Sequence, residues 1–484
     1  MSIVRVFKKF PRTFWVANTI ELFERWAWYG FFMLFANYLT GSTDIGALGL
    51  TQAQKGIIMG VGTGILYFLP VITGAIADKY GYKRVLAISF VIYSSAFIAL
   101  PQFNTFAGVF AMYLYLALGA ALFKPIISAT VAKTTDEETS SIGFGIFYMM
   151  VNIGAFIGPL VTLAYKDSGN AAVFYISAGV ILVNFILILF YKEPDRAVKS
   201  ESIMKAIATV FRNIGTALSD IKFVIFLLLV AAFWSMYFQL FFTLPVFIVQ
   251  WVDTSSVYHF FDSFMPAVTE TYGHNGQIDA EFITNFDAMF IIIFQIMISA
   301  LVMRWQPLKA MMGGILVCTI GMALTLLTQN VMFVIAAIFI FAVGEMASSP
   351  KITEYIGRIA PKDKVGLYMG CSFLPVFVGS TLGGVISGNV YGSMSDKVNL
   401  MIREVEARGL NIPEISKDFS ATDYFNKAGE LMGMDQSQLT QYLWTTYNPS
   451  NIWYVILAIG FFAVIALYFY DKLLLNKKEV SSYA

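Results

Sequence analysis

Apolar residues occur in long runs along most of the chain, and polar residues are gathered between these runs. A helix needs about 20 predominantly apolar residues to cross a bilayer. Twelve runs are close to that length or longer, and each predicts one membrane-spanning helix. The predicted spans are 14–40, 53–78, 84–101, 107–132, 142–165, 172–191, 223–250, 284–305, 308–328, 331–358, 365–394 and 451–475.

Lysine and arginine are distributed unevenly between the two ends of the predicted spans. Segments 41–54, 101–108 and 251–283 contain neither residue, whereas six basic residues fall within 192–222. Further basic residues precede the first span and follow the second: Arg5, Lys8, Lys9, Arg12, Lys79, Lys83 and Arg84. Because loops rich in Lys and Arg stay in the cytoplasm, this bias predicts that both termini are cytoplasmic.

The twelve spans fall into two sets of six, which predicts an all-α polytopic membrane protein made of two six-helix bundles. The predicted N-terminal bundle is 1–191, and the predicted C-terminal bundle is 223–484 with long extracytoplasmic loops at 251–283 and 395–450. The intervening segment 192–222 has an apolar stripe opposite basic residues, which indicates a helix lying on the cytoplasmic membrane surface. The stripe is Ile203, Ile207, Val210, Phe211, Ile214 and Leu218, with Lys205 and Arg212 opposite.

The loop at 395–450 is long and amphipathic. Its apolar spacing and a capping residue at Asp435 predict that it is helical rather than disordered. A lid, a partner surface and a stabilising cap all remain possible roles for it.

Composition supports the membrane assignment. With 58% hydrophobic and 13% charged residues, the chain could not fold as a soluble globule without exposing apolar surface. A formal net charge of +1 argues against a nucleic-acid-binding protein. The two cysteines, Cys318 and Cys371, lie in apolar runs, so we expect packing residues rather than a disulfide or a metal site.

The first predicted span carries three ionisable residues, Glu21, Glu24 and Arg25, near its middle. An ionisable residue at that depth is costly unless it faces a partner or a water-filled cavity, so the group indicates a functional site. Helical spacing places the three on one face with Trp28, beside Tyr29. That face predicts a polar path in which one carboxylate can titrate; a buried ion pair that only fixes helix packing is the alternative.

Two more buried charges lie in opposite halves of the chain. Lys124 precedes Pro125 in the fourth span, and Glu345 lies five residues before Pro350 in the tenth. A lone buried lysine and a lone buried glutamate each gain from pairing, so we expect a charged gate between them. The two prolines predict kinks in their helices.

Two weaker motifs accompany these charges. The turn after the second span contains Gly74, Asp78, Gly81 and Arg84. The glycines permit close helix approach and a tight turn, and the charged residues can bind neighbouring helix ends and release them. This segment resembles the signature loop of the major facilitator superfamily. In the fifth span, Tyr148 and Asn152 are four residues apart and make a polar step, which interhelical hydrogen bonding explains equally well.

Four motifs, in order along the chain, resemble those of the proton-dependent oligopeptide transporter family within that superfamily. The first-span motif resembles the family's ExxERFxYYG, and those of the fourth and fifth spans resemble its FKPN and FYxxIN. The tenth-span residues and four residues that follow them have the same spacing as in the family. The residues concerned are Glu21 to Gly30, Phe123 to Ile126, Phe147 to Asn152, and Glu345 and Pro350 followed by Ala360, Pro361, Met369 and Gly370.

The resemblance implies a symporter that imports di- or tripeptides or peptide-like molecules by alternating access, driven by the proton gradient and without a cofactor. Proton coupling would involve Glu21, Glu24, Arg25, Lys124 and Glu345. The implied substrate contacts are Arg25, Trp28, Tyr29, Tyr67, Lys124, Tyr148, Asn152, Trp234, Asp287, Glu345 and Ser349. We further expect a monomer in a bacterial inner membrane, with no metal site, no nucleic-acid partner and no enzymatic activity.

The chain departs from the family at several of these positions. Phe32 and Phe238 stand where the family usually has an arginine in the first helix and a glutamate in the seventh. Replacing both members of a buried pair can be nearly neutral, so we expect apolar contact to close that side. Pocket positions also differ: Trp28 replaces a Tyr, Ile126 an Asn, Ser372 a Trp, and Asp287 an Asn.

Three alternatives remain open. The cargo could be a modified peptide, an amino-acid derivative, another zwitterion or a cation, because Asp287 adds negative charge to the cavity. The fold could also serve a sensor that does not transport. A membrane-embedded acyltransferase would use the HxxxxD pattern of His274 and Asp279, but that pattern lies in a polar loop with no nucleophile nearby, so we expect chance occurrence.

Overall fold

The computed structural model describes residues 9–136, 139–195, 202–361 and 364–473, which are almost entirely helical. Among the predicted basic residues, Arg5 and Lys8 at the N-terminus and Arg196 and Lys199 in the linker lie outside the described residues, as does the end of the last predicted span.

The helices of the first half follow the predicted runs closely. In chain order they are α1 (Arg12–Thr40), α2 (Gln52–Phe68), α3 (Pro70–Tyr80), α4 (Tyr82–Ala99), α5 (Phe106–Lys133), α6 (Ser140–Leu163), α7 (Asn170–Phe190) and α8 (Ile203–Leu218). Short 3₁₀ turns at Thr43–Ile45, Leu100–Gln102 and Lys166–Ser168 lie in the connections.

The second half contains more breaks. Its first elements are α9 (Ile221–Tyr237), α10 (Gln239–Phe242), α11 (Leu244–Trp251), α12 (Ser255–Phe264), α13 (Pro266–Tyr272), β1 (Gly273–His274), β2 (Gln277–Ile278), α14 (Ala280–Thr284) and α15 (Phe286–Val302). They are followed by α16 (Pro307–Thr325), α17 (Val331–Ile359), α18 (Val365–Gly370), α19 (Leu374–Val385), a π-helical turn (Ile386–Val390), α20 (Tyr391–Met394), α21 (Lys397–Ala407), α22 (Ala421–Met432), α23 (Gln436–Tyr447), a 3₁₀ turn (Pro449–Asn451) and α24 (Ile452–Leu473). The two strands form an antiparallel hairpin.

These helices correspond to the twelve predicted spans. Ten of them, among the described residues, are long and apolar enough to cross a membrane, and α2 with α3 makes an eleventh that is bent by 41°. The twelfth, α1, is 29 residues long and carries three ionisable residues, Glu21, Glu24 and Arg25, near its middle. The bend in the second span lies at Leu69 and Pro70, whereas α5 and α17 continue as helix through Pro125 and Pro350.

The prediction that loop 395–450 is helical is confirmed by α21, α22 and α23. The last of these begins with the predicted cap, since the Asp435 carboxylate accepts from the backbone N–H of Gln438. Helices α21 and α23 are joined through Glu404, whose carboxylate accepts hydrogen bonds from Arg408, Tyr442 and Tyr447, and α22 packs against both helices. The loop therefore consists largely of helices that pack on one another.

The linker prediction is confirmed as far as the helix α8 is concerned. Ser202 caps it by accepting from the backbone N–H of Lys205, and the apolar residues Phe211 and Leu218 remain exposed. The helix packs against α3 and α18. Its position on the membrane surface stays a prediction.

The chain divides into two compact units, each drawn from both halves of the sequence. The first consists of Met1–Phe31, Gly62–Leu227 and Ile359–Phe377. The second consists of Phe32–Val61, Leu228–Arg358 and Val378–Ala484. The predicted boundaries of the two six-helix bundles, at 191 and 223, divide the chain in a different way and stay predictions.

The orientation can be tested with a thiol probe that does not cross membranes. We expect Met265→Cys and Lys417→Cys to react from outside intact cells, and Lys205→Cys to react only after permeabilisation, because the basic segments stay in the cytoplasm. All three positions are exposed, whereas the native Cys318 and Cys371 are buried and should give little background. Labelling of residue 265 or 417 from the cytoplasmic side alone would contradict this orientation.

Candidate functional site

The three ionisable residues of α1 form one buried cluster in the first unit. Glu21, Glu24 and Arg25 are 5%, 0% and 6% exposed. Arg25 donates from Nε and Nη2 to the two carboxylate oxygens of Glu24, and its Nε lies 3.3 Å from Glu21 Oε1. Tyr93 of α4 donates a further hydrogen bond of 2.9 Å to Glu24. Glu24 is thus held by three hydrogen bonds, whereas Glu21 has one longer contact with the same arginine.

Helix α6 packs tightly against α1 beside this cluster. A side chain at Gly154 would place its Cβ 2.5 Å from the carbonyl oxygen of Leu22, and one at Gly158 would collide with the carbonyl oxygen of Trp26. Thr162 adds a hydrogen bond of 2.8 Å to the carbonyl of Gly30. Because small residues let the backbones touch, the charged cluster is enclosed by protein on this side.

Aromatic residues lie next to the ion cluster, on α1 itself and on α5. Trp28 stacks on Tyr113 of α5 with ring centroids 6.5 Å apart, and the Tyr113 hydroxyl hydrogen-bonds Thr63 at 2.9 Å. Tyr29 lies under the Arg25 guanidinium, 6.0 Å from its ring centroid. The predicted common face is therefore present, and it carries charge at one end and aromatic surface at the other.

Lys124 also belongs to the first unit. It is half-buried, and its ammonium lies 3.8 Å from the ring centroid of Tyr67, a cation–π contact with another predicted substrate residue. Glu345 belongs to the second unit. The predicted gate between Lys124 and Glu345 therefore stays a prediction.

The polar step in the fifth span has a local partner. The side-chain amide of Asn152 donates 2.8 Å to the carbonyl of Tyr148, one turn earlier in α6. Asn152 keeps its amide oxygen for another partner, and the bond orients that group. Tyr148 and Asn152 thus lie together, as predicted, in the helix that packs against the charged cluster.

The predicted site residues of the C-terminal half lie together in the second unit. Glu345 accepts a hydrogen bond of 2.9 Å from the Tyr237 hydroxyl, and Tyr237 packs edge-on against Trp234 with centroids 4.9 Å apart. Asp287 at the start of α15 is 5% exposed and interacts electrostatically with Glu345. Ser349 is half-buried one turn after Glu345. This unit therefore presents two buried carboxyl groups beside an aromatic wall.

The predicted gating loop is a tight junction between α3 and α4. Gly81 has a φ of 101°, a backbone conformation that favours glycine. The Tyr82 hydroxyl donates to Asp78 at 3.1 Å, and Glu193, which the sequence did not single out, accepts from the backbone N–H of Tyr82 at the start of α4. A Cβ at Gly74 would lie 3.7 Å from the Cβ of Pro125, which is an ordinary van der Waals distance, and Arg84 is exposed. A carboxylate at a helix N-terminus is favourable, so Glu193 stabilises this junction.

Aromatic rings pack where the family has a charged pair. Phe32 lies 5.4 Å from the ring of Phe241 and 6.2 Å from that of Phe242, and Phe238 stacks on Phe242. All four residues belong to the second unit. The apolar contact predicted from the loss of both charges is confirmed.

The structure also reveals a buried lysine that sequence reasoning missed. Lys55 of α2 is fully buried, donates 2.7 Å to the carbonyl of Phe242, and lies 5.4 Å from the ring centroid of Tyr391. Asp396 interacts with it electrostatically and accepts hydrogen bonds from Gln52 and Gln250. Lys55 sits at the polar start of its span, where a lysine is ordinarily solvated, so no local pattern indicates that it is buried.

Glycines bring α2 against α19 next to this lysine. A Cβ at Gly56 would collide with the carbonyl oxygen of Gly384, and one at Gly60 would lie 2.7 Å from the Gly384 Cα. Nearby, Asn37 at the end of α1 donates 2.8 Å to Glu281 of α14. These contacts within the second unit join the C-terminal end of α1 and the N-terminal end of α2 to segments of the C-terminal half.

His274 and Asp279 do meet, with 3.3 Å between Nδ1 and Oδ1. His274 belongs to β1 and its side chain is 41% exposed, whereas Asp279 lies between β2 and α14. The contact stabilises the hairpin and gives no support to acyl transfer.

Comparison with known proteins identifies the family. The profile of the Major Facilitator Superfamily matches residues 19–384. The chain belongs to the major facilitator superfamily. As a member, it is an integral membrane protein with the all-α major facilitator fold of twelve transmembrane helices in two six-helix bundles.

Several transporters are similar to this superfamily member. An uncharacterized MFS-type transporter, YqjV of Bacillus subtilis (strain 168), is 22% identical over 342 residues, which are 70% of this chain and 78% of that protein. A di-/tripeptide transporter of Lactococcus lactis subsp. lactis (strain IL1403) is 26% identical over 185 residues, so the match spans only 37% of each protein. The crystal structure of a POT family transporter in complex with 5-aminolevulinic acid gives a TM-score of 0.67 at 18% identity, covering 96% of both chains.

The α1–α6 contact can be tested by adding one methyl group. Gly158→Ala should lower the free energy of unfolding by about 1–3 kcal/mol, because the new Cβ collides with the Trp26 carbonyl and the helices must separate. Gly145→Ala in the same helix is the matched control, since nothing lies within 4 Å of its added Cβ. Thermal unfolding in detergent measures both. Equal unfolding temperatures for the two variants would show that α1 and α6 are not packed this closely.

Proposed function

We propose that this chain is a proton-coupled symporter that imports di- and tripeptides, or peptide-like small molecules, by alternating access. The observation that carries the proposal is the buried cluster of two carboxylates sharing one arginine on α1. A superfamily of transporters supplies the fold, and the cluster supplies a group able to exchange a proton. We further propose that the chain is a monomer in a bacterial inner membrane, with both termini cytoplasmic and no cofactor.

Within the cluster, Glu21 is the better candidate to carry the coupling proton. Glu24 receives two hydrogen bonds from Arg25 and one from Tyr93, so three donors already bind its carboxylate. Glu21 is equally buried but shares the same arginine through a single contact of 3.3 Å. Arg25 contacts both carboxylates, and Lys124 of α5 acts on them only at longer range, so the less firmly bound carboxylate is the site where a proton relieves the excess negative charge.

The charges of each unit suit the two ends of a peptide. In the first unit, Lys124 and Arg25 are cations that can bind a carboxylate, with Tyr67 and Tyr29 as aromatic neighbours. In the second unit, Glu345 and Asp287 are acidic groups that can bind an amine. A di- or tripeptide carries one group of each kind. The similarity to a di-/tripeptide transporter supports this choice of substrate.

A second candidate keeps the fold and the proton coupling but changes the cargo to an amino-acid derivative or another cationic or zwitterionic molecule. Asp287 favours it, because a second buried carboxyl group beside Glu345 suits a substrate with more positive charge or with a separated amine. The structural relative that binds 5-aminolevulinic acid supports it too. Competition by a panel of such compounds separates the two candidates.

Proteoliposome uptake tests the proposed function. With an imposed inward proton gradient, the wild type should accumulate labelled dialanine, and Glu21→Gln should abolish accumulation while preserving exchange of labelled for unlabelled dialanine, because exchange needs no net proton movement. Glu430→Gln, at an exposed carboxylate of the extracytoplasmic cap, is the matched control and should transport normally. The proposal fails if the Glu21→Gln, Glu24→Gln double variant still concentrates the substrate.

The predicted gate is tested by comparing Lys124→Ala, Glu345→Ala and the charge swap Lys124→Glu with Glu345→Lys. If the two residues pair during transport, each single change should cost of order 3–5 kcal/mol of stability where the remaining charge stays buried. The swap should recover part of that stability but not normal uptake, since the substrate ends would meet the wrong charges. Independent, additive effects of the two alanine variants in thermal unfolding and uptake would rule the gate out.

A further inference from the structure

Among the described residues, Asp287 and Glu345 each bury a carboxyl oxygen that accepts no hydrogen bond. Asp287 is 5% exposed and Glu345 is 8% exposed. Within the described residues, Asp287 Oδ1 and Glu345 Oε2 have no hydrogen-bond partner. A buried carboxyl oxygen without a donor is costly, and here two such atoms occur on helices α15 and α17 of the same unit.

The two carboxyl groups also act on each other and on the same neighbours. Each interacts electrostatically with the thiol of Cys318 on α16, and with each other. The titratable groups facing the pair are that thiol and the Tyr237 hydroxyl, which binds Glu345 Oε1. Within the described part of the chain neither carboxylate has an ion-pair partner. Two ionised carboxylates in such a place would repel each other with no cation to offset them.

We propose that Asp287 and Glu345 together hold one exchangeable cation, which is a proton when no substrate is bound and the ammonium group of the substrate when one is. A single proton shared between the two unpartnered oxygens would satisfy both. An ammonium group carries the same charge and three N–H donors, so it can satisfy the same two atoms. The exchange leaves the net charge of the site unchanged, and the displaced proton goes to water.

The surroundings indicate which residue carries the proton. Asp287 lies in the first turn of α15, where the partial positive charge of a helix N-terminus favours an ionised carboxylate. Glu345 already accepts from Tyr237 through Oε1, which leaves Oε2 to carry the hydrogen. When Glu345 is not paired with Lys124, the site is therefore Glu345 as a carboxylic acid next to an Asp287 carboxylate. The exchange half of this inference rests on the proposed function, since it requires a substrate with an amine.

Infrared spectroscopy of the purified full chain in lipid nanodiscs tests both halves. Near neutral pH, the C=O stretching band of a protonated carboxylic acid should be present in the wild type and in Glu21→Gln, with the part due to the pair absent in Glu345→Gln. Asp287→Asn should lose the same part, because it removes the negative charge that retains the proton. Added dialanine should remove this band, and N-acetyl-dialanine, which has no ammonium group, should not.

The possible results bear separately on the shared proton, on its exchange for an ammonium group and on the peptide substrate. Identical bands in the wild type, Glu345→Gln and Asp287→Asn would overturn the proton site. A band that is lost in both variants but unaffected by dialanine, in protein that takes up dialanine, would overturn the exchange and leave the proposed transport intact. If dialanine is neither taken up nor able to change the band, the peptide substrate fails, while the shared proton is supported by the variants alone. Thermal unfolding of each variant in detergent checks that the isosteric changes leave the protein folded.

Discussion

The ion cluster of α1 is the interaction on which the rest of the proposed mechanism depends. Two carboxylates and one guanidinium lie inside a membrane-spanning helix, where each would be expelled if it stood alone. They remain because Arg25 binds both carboxylates, Tyr93 binds one, and the backbone of α6 closes over them through Gly154 and Gly158. Arg25 contacts two carboxylates at once, and Lys124 of α5 acts on Glu21 only at longer range, so the proposed proton site rests on an excess of negative charge at close range.

The contacts of the second unit are of a different kind. Phe32 and its aromatic neighbours, with the glycines of α2 and α19, form a contact that no change of protonation can release. Lys55 is the exception, because its buried charge is balanced by a backbone carbonyl, an aromatic ring and the field of Asp396. Opening this contact would return Lys55 to water, which offsets part of the cost of separating the apolar surfaces.

Much of this arrangement could be predicted from the sequence, for physical reasons. The length of an apolar run identifies a membrane span, and helical spacing alone groups Glu21, Glu24 and Arg25 on one face. The helices and the ion cluster can therefore be predicted from the sequence. The hydrogen bonds of Glu193 to α4 and of Asn37 to Glu281 join segments 110 or more residues apart, and nothing local marks them. Lys55 was missed because a lysine at the polar end of a span looks solvated until tertiary packing covers it.

The central claim is that substrate and proton cross together, and the most direct measurement is proton movement driven by substrate alone. Proteoliposomes loaded with a pH-sensitive dye, clamped at zero membrane potential and without an imposed pH gradient, receive external dialanine. The account predicts acidification of the interior in the wild type and none in Glu21→Gln. Entry of labelled dialanine into wild-type vesicles without any acidification would contradict it.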